Sequence, residues 1–397
     1  MGFILLRVVF LSCLSALSFL PVVAQAVTAV DLGKSAGLPA RLPSIGESAI
    51  LDHNDDGLPD ILFSAHGQEW PLLRQGPVGR FSRILPGTFS AGQDRHGCAT
   101  ADFNRDGRPD LYCVRGACKG VCKKSYPNEL YLQRANRTFA KIGGAWGAGD
   151  PHGRGRAAVT LDFDRDGDMD LLVGNEQSTA FPKVGNRLWR NAGGKFVEVT
   201  NTPLAHTLGT FRISVVRKPS GYPDVVMRTN AGVFHYRNNK GTYRAGRRLG
   251  GTSAIDVQAA DLDGDGLQDL VIVRQKQLEV RLNDGKFGFG RIHYKTALTQ
   301  GRNVAVCQLD GKPGRDIYVV QGARPTHQDF ILLNKGGGRS YTLLKTPRMA
   351  KGHGDVAICL GGRYPGYLGA AVLVTNNKWF SAGDPQLGPA RLMLLKP

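Results

Sequence analysis

Residues 161–172 read Leu-Asp-Phe-Asp-Arg-Asp-Gly-Asp-Met-Asp-Leu-Leu. Asp162, Asp164, Asp166 and Asp170 occupy positions 1, 3, 5 and 9 of a short loop, and Gly167 falls where a tight turn needs a positive φ. Carboxylates this close repel one another unless a cation holds them together. A hard cation taking side-chain oxygens at positions 1, 3, 5 and 9, and a backbone carbonyl at position 7 (here Asp168), resolves that repulsion. The pattern returns three times. Its candidate ligands are Asp52, Asn54, Asp56, Leu58 and Asp60; Asp102, Asn104, Asp106, Arg108 and Asp110; and Asp261, Asp263, Asp265, Leu267 and Asp269, with Leu58, Arg108 and Leu267 acting through their carbonyls. Four such loops imply about four structural Ca²⁺ ions. A solvated acidic turn without metal is the plainer alternative, but turn chemistry alone does not repeat acids at fixed offsets.

An EF-hand shares the opening spacing but needs a bidentate Glu at position 12 and flanking helices. Position 12 here is Phe63, Cys113, Val173 or Ile272, each inside an apolar run that reads as a buried strand. Working outward, a unit of roughly 45–60 residues emerges. It holds an apolar strand, the loop, a second strand, a segment such as Asn186-Arg-Leu-Trp-Arg-Asn191, and an aromatic residue opening a last strand. Phe81, Phe139, Phe196, Tyr243, Phe287 and Tyr341 are read in that last place. Three further units keep the strands but lose the loop acids. Seven units of four strands predict an all-β, seven-bladed β-propeller. The chain ends after a third strand of the last unit, and residues 27–37 precede the first, so the N-terminal segment is expected to complete blade 7 and close the ring.

At 397 residues with 52 Gly and 21 Pro, the chain exceeds the usual size of one core, which also favours a repeat array. Residues 1–26 read as a secretory signal peptide: Arg7, an apolar stretch, then Ala24-Gln25-Ala26. A transmembrane helix is the rival reading, disfavoured by Pro21 and the interspersed serines. The remainder, 27–397, is expected to be one exported, monomeric domain without a membrane span. Six cysteines remain after the leader: Cys98, Cys113, Cys118, Cys122, Cys307 and Cys359. The first four imply at least one disulfide of unspecified pairing; zinc is the alternative, although the spacing fits it poorly. Cys307 and Cys359 hold equivalent places in units 6 and 7 and are read as two small buried hydrophobes rather than a disulfide tying two blades, because inner strands of neighbouring blades are expected to lie further apart than a bridge allows.

With these motifs laid out, the chain resembles the FG-GAP/VCBS repeat propellers found in integrin α-chain heads, and within them the cartilage-acidic-protein-like, ASPIC-associated branch. The resemblance spans about 45–397. It implies calcium in the loops between first and second strands, and roles in adhesion or ligand binding. Three degenerate loops, the Cys-rich insert at 113–122 and the basic charge depart from the family pattern.

The formal net charge is +18. A surface this basic attracts polyanions, and in an exported protein an acidic glycan or acidic protein segment is favoured over specific nucleic acid. Cations recur just before the inner strands: Arg95 and His96, then His152, Arg154 and Arg156, then Arg302, then Lys351 and His353. They are expected to line an anion-binding funnel at the axis, opposite the acidic loops. No nucleophile elbow, phosphate loop or zinc-protease motif occurs. A polysaccharide lyase or hydrolase built in the funnel is the alternative to a binding module.

Overall fold

The computed structural model describes residues 27–38, 48–63, 68–91, 94–116, 126–177, 181–286, 288–322, 327–345, 354–361, 364, 366–376 and 390–396. Its strands form seven four-stranded antiparallel sheets and one two-stranded ribbon. The innermost strands are Ala49–Leu51, Arg95–Ala101, Gly155–Leu161, Thr210–Val216, Ala254–Ala260, Gly301–Cys307 and Gly354–Gly361, for blades 1 to 7. Each touches its neighbour from blade 1 round to blade 7 or through a bonded side chain. Thr100 Oγ1 donates to Ile50 O and Thr160 Oγ1 to Thr100 O, both at 3.2 Å, and Ser214 Oγ donates to Val257 O at 2.8 Å. The second strand of each blade is buried on both faces, as in Leu171, Leu172 and Val173, because blades stack on either side of it. The core is therefore a series of inter-blade layers.

Blade 7 is completed by the N-terminal strand Thr28–Asp31, which runs antiparallel to Arg391–Lys396 with Thr28 opposite Lys396. Ile61, Phe63 and Leu73 of blade 1 then pack with Leu373 and Leu392 of blade 7, and the seam gains a bond from Tyr364 Oη to Gln75 Oε1.

Two expectations need correction. In blade 4 the fourth strand is Arg247–Gly250, not a strand opened by Tyr243. Tyr243 keeps the aromatic place in the packing and donates to Pro223 O, but it lies on a short extra ribbon, Asn238–Asn239 with Thr242–Tyr243. In blade 5 the fourth strand is Tyr294–Ala297, well after position 287, which itself lies outside the described residues. Residues 1–26, Cys118, Cys122, Lys351 and His353 also lie outside them.

The cysteines supply the third correction. Cys98 and Cys113 face each other across the first two strands of blade 2 and form a disulfide. Cys307 and Cys359 form another, with Cα atoms 5.6 Å apart, tying the inner strands of blades 6 and 7. The expectation of two unlinked thiols fails because inner strands converge toward the axis, which brings equivalent positions of adjacent blades within bridging range.

Candidate metal centres

The four acidic loops share one backbone. Position 6 is a glycine with positive φ in each: Gly57, Gly107, Gly167 and Gly266. Position 4 is also left-handed, and three of its occupants are not glycine: Asp55 (φ 62°), Arg105 (58°) and Arg165 (64°). A strained residue there persists only where surrounding bonds fix it. The position-1 carboxylate does so by accepting amides from across the turn. Asp52 takes the N–H of Asp56 (3.0 Å) and Gly57 (2.7 Å), and Asp102 takes those of Asp106 and Gly107 at the same distances. The position-5 carboxylate accepts the amide of position 7, as Asp166 does from Asp168 at 2.8 Å.

This winding turns oxygens inward. Asp162, Asp164 and Asp166 each place a carboxylate oxygen within 4.8 Å of the others, and so do Asp261, Asp263 and Asp265. Burial, and next the adjoining loop carboxylates, push Asp164 and Asp263 above the usual carboxylate range. In blades 1 and 2 position 3 is Asn, whose amide donates to the position-5 carboxylate at 2.8 Å (Asn54 to Asp56, Asn104 to Asp106). Asp162 Oδ1 and Asn54 Oδ1 are buried without a hydrogen-bond partner. Convergent hard oxygens, some of them orphaned, suit a hard cation of the calcium type.

The position-9 aspartates do something the spacing does not show. Asp60, Asp110, Asp170 and Asp269 are fully buried. One oxygen accepts the amide of position 2: His53 (2.9 Å), Phe103 (3.0 Å), Phe163 (3.0 Å) or Leu262 (2.8 Å). The other accepts an amide at the end of the third strand: Gln75 (2.7 Å), Gln133 (2.8 Å), Asn191 (2.8 Å) or Asn283 (2.7 Å). Asp316 makes the same bonds in blade 6, to Leu309 and Asn334, although that loop lacks the acid set. Position 9 is therefore an anchor tying loop to sheet, whatever else it contacts. Burial raises all five carboxyls, Asp170 furthest, to about 8.

The amide that ends the Asn-x-Leu-x-x-Asn segment has its own task. Asn191 Nδ2 donates to Phe103 O of the preceding blade (2.8 Å), Asn238 to Phe163 O (2.8 Å), Asn334 to Leu262 O (2.7 Å), and Gln133 to His53 O (3.0 Å). Each loop is thus held by its own aspartate through an N–H and by the next blade through a C=O.

Two degenerate loops fill their centres from within. In blade 4, Lys218 stands at position 3, Gly221 keeps the positive φ at position 6, and Asp224 stands at position 9. The Lys218 ammonium bonds Asp224 Oδ1 and, at 3.0 Å, Asn238 O. In blade 6, Gln308 stands at position 1 and its amide donates to the carbonyls of Lys312 and, at 3.0 Å, Gly314. In both, a side-chain donor occupies the loop centre where the acidic loops would hold a cation. Burial alone would raise Asp224, but bonds from His235, Lys218 and the Asn238 amide outweigh it and hold the carboxyl below its ordinary value of 3.8. A depressed carboxyl contributes stability above its unfolded pKa and loses it as pH falls through the folded one. Lys218→Met is therefore expected to cost about 1–2 kcal/mol at pH 7, allowing for partial solvent screening. Urea unfolding at several pH values checks this: the gap from wild type should shrink below about pH 4, as Asp224 protonates. A gap that does not change with pH counts against the substitution of ammonium for metal.

At the opposite end four of the six expected cations among the described residues, Arg95, His96, Arg154 and Arg156, have acidic partners. Arg95 is 1% exposed, held by Glu129 at 2.5 Å and by Tyr131 Oη at 3.0 Å, so it is closed to a ligand. Arg154 and Arg156 both reach Glu176 at 2.7 Å, and His96 lies 3.0 Å from Asp94. His152 stacks on Phe181 at 4.4 Å. Arg302 packs against Gly322, with Nε buried and unbonded. The described part of the funnel wall is largely a belt of ion pairs. Their acidic partners lie up to 34 residues away in sequence, which hid them from a local reading.

Comparison with known proteins follows this geometry. The FG-GAP-like repeat family matches residues 52–113 and 220–272; the first window holds the acidic loops of blades 1 and 2, the second the end of the degenerate blade 4 loop and the acidic loop of blade 5. Two stretches of this chain match FG-GAP-like repeats. It is 41% identical over 159 residues to cartilage acidic protein 1 of Homo sapiens, covering 39% of this chain and 24% of that protein. The chain thus spans about a quarter of the length of that curated relative. Among solved structures, one of BBS1N in complex with ARL6DN aligns with a TM-score of 0.55 at 11% identity, covering 90% of this chain and 94% of that one. A lectin of Agrocybe aegerita that recognises non-reducing terminal N-acetylglucosamine aligns at 0.52 and 17% identity, covering 92% and 93%. At these identities the likeness is one of fold. The FG-GAP-like repeats here lie on a seven-bladed propeller.

Proposed function

We propose that this protein is an exported, calcium-stabilised propeller that serves as a binding module for an anionic ligand. The observation that carries the calcium reading is the convergence of three carboxylates in blades 3 and 5, with Asp162 Oδ1 buried and unbonded. Asp52, Asn54 and Asp56, Asp102, Asn104 and Asp106, and the two triads would hold the ions with the carbonyls of Leu58, Arg108, Asp168 and Leu267. Asp60, Asp110, Asp170 and Asp269 back them from the sheet. A bound ion supplies charge neutralisation and rigidity. Export is supported by the N-terminal leader pattern and by two disulfides. Among the described residues no helix is long and apolar enough to cross a membrane.

The ligand reading rests on the +18 balance. Loop acids neutralised by metal leave the rest of the surface more cationic still. Binding to acidic polysaccharides, set against neutral dextran, tests it. Wild-type protein is expected to bind the acidic polymers, more weakly as salt rises. Equal affinity for neutral dextran, or no binding to any acidic polymer at low ionic strength, overturns the reading.

A further inference from the structure

The belt of ion pairs at the axis raises the question of where uncompensated positive charge gathers. It gathers around blade 4. Arg237, Lys240, Arg244 and Arg248 fall within twelve residues and are all exposed. Arg237, Lys240 and Arg244 have no acidic partner among the described residues. The extra ribbon of blade 4, Asn238–Asn239 with Thr242–Tyr243, is what lengthens this stretch and carries Lys240 at its turn.

Beside it lies a cavity of about 280 Å³ on the loop face between blades 4 and 5. Arg237 and Lys286 line it from opposite blades, and Lys286 likewise has no acidic partner among the described residues. Two further charges in the lining, Lys218 and Asp224, are spent on each other. The lining is therefore left with two exposed cations facing a concave space, where an anion can touch both at once; Asp284 stands behind the Lys286 turn, its Oδ1 accepting the amides of Lys286 (3.0 Å) and Gly288 (2.8 Å). Ser220 and Asn283 add neutral hydrogen-bonding groups to the same lining.

We infer that the cleft between blades 4 and 5 is the anion-binding site, and that it takes the carboxylate or sulfate of an acidic saccharide. This rests on the reading of the chain as an anion-binding module and gives that module a place. A saccharide suits the lining better than an acidic peptide. Peptides dock through apolar anchors in pockets or by adding to a sheet edge, and among the described residues Pro219 and Leu267 are the only sizeable apolar groups in this lining. Sugar hydroxyls need the mixture of hydroxyl, amide and cation that is present. The loss of acids from the blade 4 loop fits the same purpose. Lys218 holds the loop without a metal site, so no cluster of carboxylates borders the cleft from that blade.

The test uses the full chain, loaded with calcium, and calorimetric titration with three probes: tetragalacturonate, a sulfated tetrasaccharide and hexaglutamate. Arg237→Ala/Lys286→Ala is compared with Lys195→Ala/Lys335→Ala, an equal charge change on exposed lysines of blades 3 and 6 outside the cleft. Wild-type protein is expected to bind at least one of the two saccharides, and which one separates carboxylate from sulfate as the recognised group. The cleft pair should weaken that binding about tenfold or more and the control pair less than about twofold, with unchanged melting temperatures. Equal loss in both pairs would mean diffuse charge and overturn the inference. Undiminished binding by the cleft pair would place the site elsewhere while leaving the anion-binding reading intact. Tighter binding of hexaglutamate than of either saccharide would overturn the saccharide assignment. No binding of any probe by wild-type protein would remove the underlying reading itself.

Discussion

Asp316→Ala is expected to cost the protein about 3 kcal/mol or more while leaving its metal content unchanged. Asp316 is fully buried in blade 6 and accepts the amides of Leu309 (2.8 Å), Asp310 (3.1 Å) and Asn334 (2.8 Å). Truncation strands these donors, and each unsatisfied buried donor costs roughly 1–3 kcal/mol. The blade 6 loop has Gln308 and Lys312 at positions 1 and 5, so no acid set is lost with it. Asp170→Ala should be at least as costly, since Phe163 and Asn191 lose their acceptor and the acidic loop of blade 3 loses its support. Chemical denaturation of both variants, with metal analysis of each, is the check. If position 9 were a metal ligand alone, Asp316→Ala would be nearly neutral; a loss below about 1 kcal/mol would refute the anchor role.

Removing the Cys307–Cys359 bridge should have an effect of similar size. It joins blade 6 to blade 7, the blade that the N-terminal strand completes, across a sequence separation of 52. Native disulfides of exported domains contribute about 2–5 kcal/mol, chiefly by constraining the unfolded chain. Cys307→Ala/Cys359→Ala should lower the unfolding free energy by that amount, and mild reduction of wild-type protein should reproduce the loss. Non-reducing peptide mapping gives the direct check, a fragment containing both Cys307 and Cys359. Their recovery as separate thiol peptides from oxidised protein would contradict the bridge.

Much of the architecture was legible because one twelve-residue pattern carries both a turn and the start of a strand. Asp162 to Asp170 fix the loop, and Leu171 to Val173 declare a strand buried on both faces. Repetition then gave the blades, and the missing last strand of unit 7 gave the closure. What escaped depends on distances that sequence does not encode. The partner of Asp170 is the amide of Asn191, which no spacing rule connects to a loop acid. Arg95 looked like a free cation because Glu129 sits on the third strand of the same blade, 34 residues on. Tyr243 matched the aromatic signal in packing, yet the ribbon at Asn238–Tyr243 postponed the edge strand to Arg247. Lys218 and Gln308 read as losses in degenerate loops. Only their bonds show them to be replacements.

The account centres on cations in four loops and none in blades 4 and 6. The most direct measurement is metal stoichiometry by mass spectrometry on protein stripped with chelator, reloaded with Ca²⁺ and desalted, read beside its melting temperature. The expected result is about four ions per chain, a higher melting temperature in the loaded form, and one ion fewer in Asp162→Asn/Asp164→Asn/Asp166→Asn. Fewer than three ions per chain, or a melting temperature indifferent to calcium, would contradict it.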